Sequence, residues 1–89
     1  MNYLLIANVV LESSKINSTE KVLMGVINSL LDEDNYCYAT NELLAEELNV
    51  SKRTITKCLA SLKAANFIKI KINNHNQRRI KIRKGAVCY

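Results

Sequence analysis

Positively charged side chains dominate the second part of this 89-residue sequence. Residues 51–89 carry eleven Lys or Arg and no Asp or Glu, whereas residues 1–50 carry two Lys and all eight acidic residues. The two parts therefore have formal charges of +11 and −6, and the chain has a net charge of +5. Such concentrated positive charge is suited to binding a polyanion, because phosphates release condensed counterions when they meet Lys and Arg. The alternative is a solvated basic surface.

The residues needed for other kinds of chemistry are missing. One His, three scattered Cys and no glycine-rich phosphate loop provide neither a nucleophile with its base nor metal-ligand spacing. We therefore expect no enzyme activity, no catalytic residues, no metal and no cofactor. The odd number of Cys predicts reduced thiols and a cytoplasmic location. The apolar run over residues 3–11 is too short for a membrane helix, so no membrane partner is expected.

Two runs that alternate apolar and basic residues predict an antiparallel hairpin over about residues 67–83. The segment between the runs, residues 73–77, is polar and turn-prone. Five isoleucines should point at the core: Ile68, Ile70, Ile72, Ile80 and Ile82. Five basic side chains should line the opposite face: Lys69, Lys71, Arg79, Lys81 and Arg83.

Three capping residues predict the starts of three helices that precede this hairpin. The predicted helices run from about 18 to 33 after Asn17, from about 41 to 48 after Thr40, and from about 52 to 65 after Ser51. Leu43, Leu44, Ala45 and Leu48 should face inward. Asn49 and Val50 leave room only for a tight turn, and Asn tolerates the left-handed conformation that this turn requires.

The order of these elements predicts a single α+β domain over residues 1–89. Its fold class is a winged helix, with a three-helix helix-turn-helix core, a C-terminal β-hairpin wing and a short N-terminal strand within residues 3–11. An apolar fraction of 48% and a charged fraction of 24% are ordinary for a globular domain of this kind.

The sequence also resembles known families. Ala45, Asn49 and Ile55 have the spacing at which DNA-binding helix-turn-helix proteins carry a small residue, a turn glycine and a buried aliphatic, with Asn49 departing from glycine. Residues 38–55 (YATNELLAEELNVSKRTI) resemble the N-terminal domains of phage and plasmid replication initiators. Ile6–Val9, the segment LKAANFI (62–68) and Arg78–Ile80 are similar to the same group.

This resemblance implies sequence-specific binding of double-stranded DNA. The biological setting would be replication initiation or transcriptional regulation in a bacterium, phage or plasmid, with a nucleoid-associated location. Replication initiation and transcriptional regulation both fit this resemblance.

The side chains expected to contact bases lie on the third predicted helix. In helix-turn-helix proteins this helix enters the major groove by its N-terminal end. If Ile55 is buried, steps of about 100° per residue place Arg53 and Lys57 nearly opposite it and Thr56 on a flank. Arg53, Thr56 and Lys57 are therefore the predicted base contacts, and Arg suits guanine through its two-donor fork.

A larger set of residues is expected to contact the DNA backbone. It comprises Thr40, Asn41, Ser51, Lys52, Lys69, Lys71, His75, Asn76, Arg78, Arg79 and Lys81. Some of these residues have a simpler alternative: helix capping explains Thr40, a polar turn explains His75, and Lys69 and Lys71 can serve only to prevent edge-to-edge association of a strand. The alternative for the predicted base contacts is a set of solvated helix residues.

Other partners were weighed against duplex DNA. A winged helix can also serve as a protein-interaction module, with its basic half docking on an acidic partner or its acidic N-terminal half on another protein. A homodimer is also open. RNA or single strands are disfavoured, because the tyrosines at positions 3, 36, 38 and 89 lie outside the hairpin sequence and bases stack on exposed aromatics.

Overall fold

A computed structural model describes residues 16–75 and 77–83. Within these residues, three helices are followed by two strands: α1 (Ser18–Ser29), α2 (Asn41–Leu48), α3 (Lys52–Ala64), β1 (Ile68–Ile72) and β2 (Arg78–Ile82). The two strands form an antiparallel hairpin. The predicted α+β winged-helix arrangement of three helices and a hairpin wing is confirmed. The strand predicted within residues 3–11 lies outside the described residues.

The side-chain caps predicted from the sequence begin all three helices. The side-chain oxygens of Asn17, Thr40 and Ser51 accept hydrogen bonds from the backbone N–H groups of Glu20, Leu43 and Thr54 at 2.9, 3.1 and 3.2 Å. The Glu20 carboxylate in turn accepts from the Asn17 backbone N–H at 2.8 Å, which completes a capping box. Each cap satisfies a backbone donor that has no partner inside its helix.

Helix α1 ends at Ser29, four residues before the predicted end at 33. The Oδ1 atom of Asp32 accepts hydrogen bonds from the backbone N–H groups of Asp34 and Tyr36 at 2.9 and 3.0 Å, and Asn35 adopts a φ of 65°. Asp competes for backbone donors in this way and favours a turn over a helix. Asp32 therefore stabilises a turn after Ser29, where the sequence predicted four further residues of α1.

The connection between α2 and α3 is the tight turn that the sequence predicts. Asn49 lies in the left-handed region, with φ 56° and ψ 48°. The backbone N–H of Val50 reaches back to the carbonyl of Ala45 at 3.0 Å, which closes the end of α2. Ser51 then caps α3, so only three residues separate the two helices.

The core lies between the three helices and the inner face of the hairpin. Fully buried side chains come from every element, among them Leu23 and Ile27 of α1, Leu44 of α2, Ile55 and Leu62 of α3, and Ile68 and Ile80 of the strands. Helix α1 packs against α2, α3 and β2, and α3 packs against α2 and β1. One core therefore holds the helix-turn-helix and the wing together.

Two predicted core residues lie at the surface. Ile72 is 67% exposed because it pairs with Arg78 at the end of the hairpin farthest from the Ile68–Ile82 pair that enters the core. Leu43 is 39% exposed because it lies one helical step of about 100° away from Leu44, which occupies the centre of the short buried side of α2.

A third segment joins the hairpin. Cys37 forms an antiparallel bridge with Ile80, with N–H···O distances of 2.8 and 2.9 Å in the two directions. Its side chain is fully buried, and this burial raises the pKa of the Cys37 thiol, which keeps it protonated near neutral pH. This bridge therefore holds the residues before α2 against strand β2 of the wing.

The left-handed turn predicts different effects for two substitutions of Asn49. Asn49→Ala should lower the free energy of unfolding by about 1 kcal/mol, since an alanine pays the full steric cost of this conformation. Asn49→Gly should be close to neutral, because glycine adopts the conformation freely. Urea denaturation of the two variants measures the difference, and an equal loss in both would show that the Asn side chain itself stabilises the turn.

Candidate nucleic-acid interface

The N-terminal half of α3 exposes the side chains that the sequence nominates for base contacts. Ile55 is fully buried, whereas Arg53, Thr56 and Lys57 are exposed, as the helical geometry predicts. Ser51 and Lys52 are exposed immediately before them. The first turn of α3 contains no acidic residue. This end of the helix therefore combines free backbone N–H groups, the positive end of the helix dipole and cationic side chains.

Thr56 differs from its neighbours because its hydroxyl is already engaged. Its Oγ1 donates to the carbonyl of Lys52 at 3.1 Å and lies 3.4 Å from the side-chain nitrogen of Asn41, which donates to it. Asn41 belongs to the first turn of α2, so this contact fixes the start of α2 against α3. The Thr56 methyl group remains the part of the side chain best suited to a further apolar contact.

Arg78 joins the wing to the same position. One guanidinium nitrogen donates to the side-chain oxygen of Asn41, and the other donates to the carbonyl of Ala39 at 2.6 Å. The side chain is half-buried, and burial lowers the pKa of the Arg78 guanidinium from its ordinary value, although Arg stays charged in proteins. We call the linked residues Arg78, Asn41 and Thr56 the polar chain. It connects β2, α2 and α3 through side chains alone.

The ammonium of Lys52 forms only a weak ion pair with an acidic neighbour. It lies 3.7 Å from a carboxylate oxygen of Glu42, and the two side chains are 63% and 76% exposed. An ion pair this exposed stabilises a protein by at most about 1 kcal/mol. Lys52 is therefore free to exchange this carboxylate for a phosphate. Glu46 and Glu47, on the same helix as Glu42, are also exposed.

The outward face of the hairpin concentrates positive charge. The strand register places Lys69 opposite Lys81 and Lys71 opposite Arg79. Lys69, Lys71 and Lys81, together with Arg83, line one open depression. Directly opposed like charges destabilise a sheet. A face built from them is best stabilised by an anion that bridges the two strands.

Two tyrosines lie against this face, which the sequence analysis did not foresee. Because Cys37 points into the core, Tyr36 and Tyr38 point outward beside β2. The Arg79 guanidinium carbon lies 4.8 Å from the centroid of the Tyr36 ring, and the two tyrosine rings are 6.3 Å apart at 57°. The hairpin strands themselves carry no aromatic side chain, but these two tyrosines from the segment before α2 lie beside their outer face. The alternation Tyr-Cys-Tyr was the signal for a short strand.

The tip of the wing is a compact polar turn. The side-chain oxygen of Asn73 accepts hydrogen bonds from the backbone N–H groups of His75 and Gln77 at 2.9 and 3.0 Å. His75 is exposed at this turn, and Asn76 lies outside the described residues. The Asn73 side chain explains why the turn forms, and the exposed imidazole is available to a partner.

Residues 16–75 and 77–83 contain neither a metal-ligand cluster nor a membrane-spanning helix. Within them, no group of three or more His, Cys, Asp or Glu is placed to hold a metal ion. None of the helices in the same described part of the chain has the length and apolar character needed to cross a membrane.

Comparison with known proteins establishes the family. Residues 14–68 match the helix-turn-helix domain family, and the chain belongs to it. This match covers more than half of the sequence and includes α1, the whole α2–α3 motif and the first residue of the wing strand β1. No curated protein matches the sequence.

Two solved structures share the fold. A structure described as the N-terminal domain of a DNA binding protein is 23% identical with a TM-score of 0.69, covering 97% of this chain and 77% of its own. A structure described as a Rep-DNA complex is 24% identical with a TM-score of 0.68, covering 99% of this chain and 79% of its own. At these identities the likeness is one of fold.

The polar chain predicts a large effect of Arg78 on stability. Arg78→Ala should lower the free energy of unfolding by about 1–3 kcal/mol, because it leaves the partly buried oxygens of Asn41 and Ala39 without their donor. Arg83→Ala removes the same charge from an exposed position and should change stability by less than about 0.5 kcal/mol. Urea midpoints provide the comparison. Equal, small losses of stability in both variants would contradict a stabilising role of Arg78 in the polar chain.

Proposed function

We propose that this domain binds double-stranded DNA sequence-specifically through the N-terminal half of α3. The observation that carries this proposal is the polar chain, which holds two helix N-termini, those of α2 and α3, side by side with exposed cations around them. A duplex presents phosphates on both sides of its major groove, and this arrangement matches them with one helix in the groove and one at its edge.

Base contacts come from three residues of α3. Arg53 offers two parallel donors to the O6 and N7 atoms of guanine, and Lys57, one turn further along, can reach the next base edge. Thr56 has its hydroxyl engaged by the backbone and Asn41, so it contributes its methyl group, which suits thymine. The polar chain links α3, which carries these side chains, to strand β2 and so fixes the position of α3 relative to the wing.

Backbone contacts surround this helix. The first turn of α2, with Thr40 and Asn41, offers backbone N–H groups and a favourable dipole to one phosphate. Ser51 and Lys52, at the start of α3, would contact phosphates on the opposite side of the major groove. Arg78 acts mainly by positioning Asn41. Further phosphate contacts from the wing would come from Lys69, Lys71, His75, Asn76, Arg79 and Lys81.

The biological role we propose is replication initiation, with transcriptional control as the alternative. It is supported by the similarity of the sequence to phage and plasmid initiators and by a fold shared with a structure described as a Rep-DNA complex. We also propose that the domain binds DNA without catalysis and is associated with the nucleoid. A random-library selection of bound DNA would separate the two roles, because an origin-like repeat array and a promoter operator differ in pattern.

Duplex binding should depend steeply on salt. Engagement of about 5–8 phosphates predicts a slope of about −4 to −7 in a plot of log K against log salt concentration. The measurement is a fluorescence anisotropy titration of a random duplex at several salt concentrations. If no duplex binding is seen at low salt, the proposal is refuted and docking of the basic half on an acidic protein takes its place.

Arg53 should carry base preference, whereas a cation at the far end of the same helix should not. Arg53→Ala should weaken binding to the selected site by about 1–3 kcal/mol and reduce the preference over random duplex. Lys63→Ala is the matched control, since Lys63 is an exposed cation in the last turn of α3. Competition titrations measure both. Parallel losses on selected and random DNA for Arg53→Ala would place base recognition elsewhere.

A further inference from the structure

The outer face of the wing is a three-stranded surface once the Cys37 bridge is included. The pairing of Cys37 with Ile80, and of Ile80 with Ile70, fixes which outward side chains are neighbours. They form two rows across the sheet: Tyr36, Lys81 and Lys69 in one, and Tyr38, Arg79 and Lys71 in the other. Each row has one aromatic at its edge and two cations beside it, with strands about 4.8 Å apart.

The charge of this face points to an anionic partner. Neither row contains an acidic residue, and the described residue that extends the surface, Arg83, is also basic. Two pairs of like charges face each other directly, which costs stability when the face is empty. A chain of phosphates laid across the strands removes this repulsion, and a neutral or positively charged partner does not.

The aromatic rings specify the kind of polyanion. Arg79 covers one face of Tyr36 at 4.8 Å, which fixes that ring and leaves Tyr38 at the edge of the row. Tyr38 is half-buried and also lines a recess beside the start of α2. A base can stack on a tyrosine ring only when the face of the base is not already covered. In a duplex those faces are covered by neighbouring base pairs.

We propose that the outer face of the wing binds single-stranded DNA, with phosphates on Lys69, Lys71 and Lys81 and a base stacked on Tyr38. This surface contains none of the base-contacting residues of α3, and it adds a second mode of binding in which the same wing lysines hold a single strand instead of duplex phosphates. The choice of DNA over RNA rests on the proposed function, because a domain held on duplex DNA keeps this face at a high local concentration of any strand opened nearby.

The test measures binding of dye-labelled oligothymidine by fluorescence anisotropy. Tyr38→Ala should weaken binding about tenfold through the lost stacking, whereas Tyr38→Phe, which keeps the ring, should stay within about twofold of the unaltered protein. Lys69→Gln should reduce the log-log salt slope by about 0.7, the share of one phosphate on a single strand. Arg53→Ala should leave oligothymidine binding unchanged.

Several outcomes would overturn the inference. Duplex binding without oligothymidine binding would refute it and leave the proposed function standing, whereas the reverse result would support this face and refute the proposed function. Equal losses of duplex and oligothymidine binding in Tyr38→Ala would assign Tyr38 to the duplex interface. Binding of oligouridine tighter than that of oligothymidine would contradict the choice of DNA. If Tyr38→Ala fails to fold, the salt dependence of oligothymidine binding by Lys69→Gln tests the inference instead, and an unchanged slope would contradict it.

Discussion

The rest of the structure depends on the two hydrogen bonds between Cys37 and Ile80. Ile80 is fully buried, pairs with Ile70 of β1 and also receives the segment that leads into α2. Thr40 caps α2 only three residues after Cys37, so the orientation of the helix-turn-helix is fixed relative to the wing. Arg78, two residues before Ile80, repeats this link with its side chain. A domain of this size has one core, and here that core also sets the geometry of its binding surface.

The separation of charge along the sequence becomes a separation of surfaces. The exposed acidic surface comprises Glu46 and Glu47 of α2 and Asp32, Glu33 and Asp34 of the turn after α1, whereas the exposed cations lie on α3 and the outer face of the wing. A polyanion is repelled by the first surface and attracted by the others, so the domain meets it in a restricted set of orientations. The core needs none of these charges. The fifteen buried hydrophobic residues in the described part of the chain leave its exposed positions free to serve binding.

The features predicted correctly from the sequence are those that local chemistry determines. The capping oxygens, the left-handed Asn49 and the alternation of the hairpin each depend on residues a few positions apart. The missed features depend on contacts between distant residues: the bridge of Cys37, the exposure of Ile72, the polar chain through Arg78, and the tyrosines beside Arg79. Sequence spacing nominated the candidate site residues, but it did not show which of them are engaged by neighbours and which are free.

The central claim is that duplex DNA meets the N-terminal ends of α2 and α3. Backbone amide chemical shifts in an NMR titration with a duplex carrying the selected site test it most directly. The account predicts that the largest changes fall at residues 40–41 and 51–57, with smaller changes in the wing. Largest changes at the exposed acidic side of α2, around Glu46 and Glu47, would contradict it, as would changes confined to the outer face of the wing.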